Sequence, residues 1–438
     1  MAMPVEPGLA PTRAVLKNGT VVTAKQSPTT PAVTVNAAFR AGSVHDPPGA
    51  PGVAHFLSRV LDRGTARRSA EEIAEALDAR GVSLNFGVSH HLVTIGCTSL
   101  SEDFDAVLDL VGDVARRPTL PEQEIAVRRG EIVTAVRQDE DNPAVMAHEG
   151  LMALLYPDDH PYGRRAKGSV DTIGTIDRHA LSLFHETQFS PSSLSIVVVG
   201  DIEPPRAIDL AARVFGDWHV PASPPPALPP AAPLRARRRL VRSMMNKAQA
   251  DIAYGFVTIT RTDPAYHAFL LMNNVLGQYA LGGRLGDSIR ERQGMAYYVL
   301  SILDADVTPG PLVVRAGVDP RNVDRALASI DEEIDRMAAD GITERELQES
   351  QLYLVGSLPR AFETNAGIAA FLQTAEQFNL GLDYDLRLPD LIRSIARDEV
   401  NALARRFLSS DRAAVVVAGP YEDPQAGRTS VPDGFAAP

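Results

Sequence analysis

Cysteine is nearly absent from the 438-residue sequence. Cys97 is the only one, which excludes an intramolecular disulfide framework and any zinc or iron–sulfur site built from cysteines. It stands in the apolar alternation Val93-Thr94-Ile95-Gly96-Cys97 and reads as a small core residue. Lysine is scarce too: Lys17, Lys25, Lys167 and Lys247 are the only lysines among 43 basic residues, a bias that reads as genomic rather than functional. The net charge of −12 argues against nucleic acid as a partner. No apolar run approaches the ~18 residues of a membrane span, so no membrane partner is expected. Met1 to Thr12 shows no basic segment followed by an apolar one, so the expectation is a cytoplasmic location, with the periplasm left open. What is present, 45% hydrophobic and 22% charged residues, fits a soluble globular chain too long for one core.

The strongest punctuation is Val220 to Pro233, with seven prolines in fourteen residues. Proline fixes φ and removes a donor, so this stretch reads as an extended linker. The expected organisation is a domain at 1–220, a linker at 221–239 and a second domain at 240–438. Both halves open with strand-like runs, continue through long amphipathic segments and close with a buried strand, "LSIVVVGD" in the first and "AAVVVAGP" in the second. Repetition of the same order suggests an internal duplication. In the first half Ser69, with Glu72 three residues on, predicts a capped helix from Ser69 to Ala79. His90 and His91 fall in a strand-like run, where neighbours point to opposite faces and cannot form a pair.

The segment "GVAHFLSRVLDRGT" (Gly52 to Thr65) resembles the helix that carries the His-x-x-Glu-His zinc motif of the pitrilysin/insulinase metallopeptidase family. That chemistry needs two imidazoles at i and i+4 on one helix face, and a glutamate between them as general base. Here His55 remains, Ser58 stands at the base position and Arg59 at the second ligand. A guanidinium has no lone pair to give a metal, and serine has no useful basicity near neutral pH. The resemblance places Ala135 at the third ligand, in the helix before "RQDEDNP", and Arg128 where a second acid often stands. The expectation is therefore a chain without its own metal.

The second half carries "LGGRLGDSIRERQGMAYYVLS" (Leu281 to Ser301), which resembles the family's C-terminal signature of a glycine loop, an "R-L-x-x-x-I-R-E" helix, a glycine turn and "A-Y" opening a strand. The resemblance implies that Arg290 and Tyr297 bind substrate and stabilise the oxyanion of peptide hydrolysis at a zinc site. It also implies substrate binding by Gly282, Gly283 and Arg284; Tyr298 should face away from Tyr297 and pack. The implied fold is α+β: two homologous domains, each a mainly antiparallel sheet packed on helices, together half of a clam-shaped chamber. The implied role is the zinc-free subunit of a two-chain peptidase, with zinc in a homologous partner that keeps an intact His-x-x-Glu-His motif. An open sheet edge near Ser83 to Gly87 is a candidate for binding the peptide as an added strand. The alternatives from other classes are a proteolytically inactive assembly subunit and a peptide-binding homodimer.

Overall fold

The computed structural model describes residues 8–156, 160–221, 223–278 and 282–422; Leu281, the first residue of the second signature, lies outside them. The first half runs β1 (Thr12–Val15), β2 (Val21–Gln26), β3 (Ala32–Phe39), α1 (Val53–Val60), α2 (Ala70–Asp78), β4 (Asn85–Val88) and β5 (Val93–Leu100). It continues with α3 (Phe104–Arg116), α4 (Glu122–Glu140), α5 (Pro143–Leu155), α6 (Val170–Thr175), α7 (Arg178–Gln188), β6 (Leu194–Gly200) and α8 (Pro204–Phe215). The second half runs β7 (Arg238–Ser243), β8 (Ala250–Val257), α9 (Tyr266–Asn273), two π-helical turns (Asn274–Gln278 and Gly286–Arg292), β9 (Ala296–Leu303) and β10 (Pro311–Val318). It closes with α10 (Val323–Asp340), α11 (Glu344–Ala361), α12 (Asn365–Gln377), α13 (Tyr384–Ser394), α14 (Arg397–Phe407) and β11 (Ala414–Gly419).

Two sheets result, ordered β1-β2-β6-β3-β5-β4 and β7-β11-β8-β10-β9. Apart from the additional β1, the orders are equivalent. Each contains one parallel pair, β2 with β6 and β7 with β11, and is otherwise antiparallel. Two chain segments that fold into the same strand order with the same sense at each ladder bear out the duplication.

The compact units are not contiguous in sequence. Unit 1 comprises 1–138, 158–230 and 348–395, and unit 2 comprises 139–157, 231–347 and 396–438. The exchanged pieces are helices. In unit 1, α12 from the second half covers β3 and β6, where Leu372, Ala369 and Ile368 meet Val197 and Val199. In unit 2, α5 from the first half covers β8 and β11. Each closing strand is thereby buried on both faces, which is why β6 and β11 read as unbroken apolar runs rather than alternations. The seat of α5 is close: a Cβ on Gly255 would stand 2.8 Å from the Leu312 carbonyl and 3.1 Å from Leu151.

The core of unit 1 fills the other face of its sheet with Phe39, Phe56, Leu57, Phe104 and Phe215, and Trp218 at its rim. The capping box at α2 forms as the sequence indicates: Ser69 Oγ accepts from Glu72 N, and Glu72 Oε2 accepts from Ser69 N. β4 is an edge strand, so the open edge near Ser83 to Gly87 exists at Asn85–Val88. His90 and His91 depart from expectation. They sit at the tip of the β4–β5 hairpin, where the period of two lapses, and both touch Tyr162: His90 stacks on its ring at 4.1 Å and His91 Nε2 lies 2.7 Å from its hydroxyl. Among the described residues no helix is long and apolar enough to cross a membrane.

Candidate functional site

The metal-motif positions belong to unit 1. Helix α1 follows its N-cap Gly52, and its start is held by the buried carboxylate of Asp46, which accepts the N–H groups of Gly52 (2.7 Å) and Ala54 (2.8 Å). Burial raises Asp46 to about 6, against the pull of those two bonds. On α1, His55 is half-buried, Ser58 is 2% exposed and Arg59 projects to solvent. Ser58 Oγ donates to the His55 carbonyl at 2.7 Å, the back-bond that helical serines make within their own turn.

Helix α4 packs alongside, with Arg129 over the Phe56 ring at 5.3 Å, and places Ala135 half-buried with no donor atom to offer. Its Arg128 is paired with Glu131 at 2.6 Å. The nearby Asp62 is raised by burial, with Arg63, Arg128 and Arg59 opposing. The neighbourhood is thus rich in fixed cations. Zinc does not fit it: of the four motif positions only His55 is a possible ligand. Among the described residues no group of three or more His, Cys, Asp or Glu side chains can hold a metal ion.

The second constellation belongs to unit 2. Gly283 is buried where a Cβ would stand 2.8 Å from Gly277 Cα, so its missing side chain serves this close approach; Gly282 is exposed. Arg284, expected to bind substrate, is engaged within unit 2. Its Nε and Nη2 donate to Glu346, at 2.7 and 2.8 Å, and Nη2 also donates to the Gly341 carbonyl at 2.8 Å, tying the start of the Arg290 helix to the start of α11. Burial would raise Glu346, but Arg284 and the Thr343 N–H outweigh it and hold the carboxyl at about 2.

Arg290 lies on the π-helical turn Gly286–Arg292, a geometry frequent at functional positions. Gly294, at φ +59°, ends this turn while its N–H bonds the Arg290 carbonyl and the next N–H bonds that of Ile289. Of the acids that flank Arg290 in sequence, only Glu291 pairs with it, and loosely. Asp287 pairs with Arg292 at 2.9 Å, and Glu291 approaches Arg290 no closer than 3.8 Å, with both side chains about half exposed.

Tyr297 is 83% exposed, the most exposed of the chain's large hydrophobic side chains among the described residues. A β-bulge sets it there: Ala296 pairs with Val318 and Tyr298 with Gly317, leaving Tyr297 without a partner between them. Tyr298 faces away from it, as expected, and donates to Asp251 Oδ1 at 2.5 Å. Asp251 itself escaped the sequence reading, although a lone acid in the apolar run "ADIAYGFV" is a signal.

Two family models match the chain: "Insulinase (Peptidase family M16)" over residues 21–164 and "Peptidase M16 inactive domain" over 175–354. The chain belongs to peptidase family M16. The M16 inactive-domain match contains both Arg290 and Tyr297. A Streptomyces coelicolor protein named an uncharacterized zinc protease is 28% identical over 426 residues, covering 95% of this chain and 91% of its own length. A Bacillus subtilis protein so named is 25% identical, covering 92% and 96%. The crystal structure of a peptidase M16 inactive domain from Pseudomonas fluorescens superposes with a TM-score of 0.86 at 26% identity, over 95% of this chain and all of that one. A protease from Helicobacter pylori, at 17% identity and a TM-score of 0.85, shares the fold.

Proposed function

We propose that this M16 chain is the subunit of a two-chain metallopeptidase that holds no zinc and lends Arg290 and Tyr297 to the zinc site of a homologous partner. The observation that carries the reading is the exposure of Tyr297 on an edge strand of a chain whose own metal positions, Ser58, Arg59 and Ala135, offer no ligand. The partner's zinc supplies the activated water. This chain's contribution is to donate the Tyr297 O–H to the oxyanion that develops on the scissile carbonyl, and to hold a neighbouring peptide carbonyl through the Arg290 guanidinium. An extended peptide is the substrate class this arrangement suits, since both groups address main-chain oxygens.

The test mixes purified homologue bearing the intact motif with this chain and follows cleavage of an unstructured peptide. Tyr297→Phe should lower kcat by ~10²–10³ while the two chains still co-elute. Undiminished cleavage would refute the role and favour a proteolytically silent assembly subunit, a reading the losses at Ser58 and Arg59 also suit.

A further inference from the structure

Asp251, Gly317 and Tyr298 stand in one row across three strands of unit 2, since Asp251 of β8 pairs with Gly317 of β10 and Gly317 pairs with Tyr298 of β9. The middle residue has no side chain. A Cβ at Gly317 would lie 2.5 Å from Tyr298 Cε1, so the Tyr298 ring passes over the glycine and its hydroxyl reaches the Asp251 carboxylate on the far strand. Asp251 is 4% exposed, and its two oxygens also accept from Gln249 Nε2 at 3.3 and 3.2 Å. Burial, with the carboxylate beside it, raises the Tyr298 phenol well above its ordinary value, so the bond keeps its proton through the working pH range.

The row fixes more than Tyr298. In a regular ladder Tyr297 would oppose Val318 and share the face of Val299 and Ser301, both buried. The bulge gives that place to Ala296, 8% exposed, and turns Tyr297 out. Which arrangement holds depends on what pins Tyr298 opposite Gly317, one residue away. We propose that Asp251, acting through Tyr298 across Gly317, is the positioning residue that holds the bulge and so presents Tyr297. The catalytic consequence rests on the two-chain reading; the geometric claim stands apart from it.

The experiment measures nitration of Tyr297 by tetranitromethane, mapped by peptide mass spectrometry, in the wild-type chain and in Tyr298→Phe, Asp251→Ala and Asp251→Asn. Circular dichroism verifies that each is folded, and Gly317→Ala, which pushes the ring off its seat from the other side, serves if Asp251→Ala is not. Tyr298→Phe and Asp251→Ala should slow nitration of Tyr297 several-fold, and Asp251→Asn, whose amide oxygen still accepts, should restore most of it. Peptide turnover with the zinc-bearing homologue is read on the same samples. Slower nitration with lower kcat and little change in KM supports both claims. Slower nitration with unchanged turnover supports the positioning role and overturns the two-chain reading. Nitration at the wild-type rate in Tyr298→Phe and Asp251→Ala overturns the positioning role.

Discussion

Acid should weaken unit 1 through His91, and the effect can be worked from the structure. Burial holds the His91 imidazole at about 4, against an ordinary 6.5, while its Nε2 is bonded to the Tyr162 hydroxyl. A histidine depressed in the folded state is neutral there when the unfolded chain is already protonated. Its stabilisation is therefore complete above about pH 6.5 and is lost as pH falls towards 4. The loss is about 2 kcal/mol near pH 5 and about 3 kcal/mol when fully developed, at ~1.4 kcal/mol per pH unit. Asp46 works the other way: raised to about 6 from 3.8, it takes up a proton in the folded state first and returns roughly 1 kcal/mol by pH 5. His45, His160 and His185 in the same unit are also lowered by burial and add to the loss. Trp218, the chain's one tryptophan, sits in the unit 1 core, so its fluorescence reports this unit's unfolding by urea. The His91→Gln variant, which keeps a partner for Tyr162, should lose about 2 kcal/mol less than wild type between pH 7 and about pH 5. Parallel pH dependences for the two proteins would show that His91 carries no such linkage and refute the reasoning.

Two further outcomes follow from the packing of unit 2. Gly255→Val drives a branched side chain against the Leu312 carbonyl and the α5 leucines, and should lower the stability of this unit by about 1–3 kcal/mol, seen as an earlier calorimetric transition; a neutral effect would mean that α5 is not seated on β8. Glu346→Gln removes the charged partner of Arg284 and should speed amide exchange across Gly286–Arg292. Because Glu346 is held at about 2, below its ordinary 4.5, the stabilisation it gives is present above about pH 4.5 and fades as pH falls towards 2; exchange in Glu346→Gln as slow as in wild type at pH 7 would rule out the brace.

Local patterns were legible and long-range ones were not. The capped start of α2 could be read from Ser69 and Glu72 because both ends of that bond lie within one turn. Strands β6 and β11 were legible because burial on both faces leaves an apolar run that only a strand of that length can use. The run "PAVMAHEGLMALL" of α5 is apolar on nearly every side, so nothing in it says which sheet it covers, and the helix exchange stayed hidden. Arg284 looked available because its partner, Glu346, belongs to another helix. The π-helical turn around Arg290 leaves no period in the side chains, and the bulge at Tyr297 is a property of the pairing with β10, which a single strand does not display.

The duplication sharpens the functional argument, because it lets one half be weighed against the other. In unit 1 the motif positions have been absorbed into ordinary helix chemistry: Ser58 bonds its own turn, Ala135 packs, and Arg59 is solvated. Each of these residues is accounted for by folding alone. In unit 2 the corresponding accounting fails at Tyr297. A phenol 83% exposed buries little apolar surface, fills no cavity and bonds no neighbour among the described residues, and the bulge that exposes it interrupts a ladder. Tyr298, one residue away, shows what a tyrosine retained for packing looks like: half-buried, seated over a glycine and bonded to a buried acid. Two adjacent tyrosines of opposite character on one strand are hard to derive from stability, which accounts for the second and not for the first.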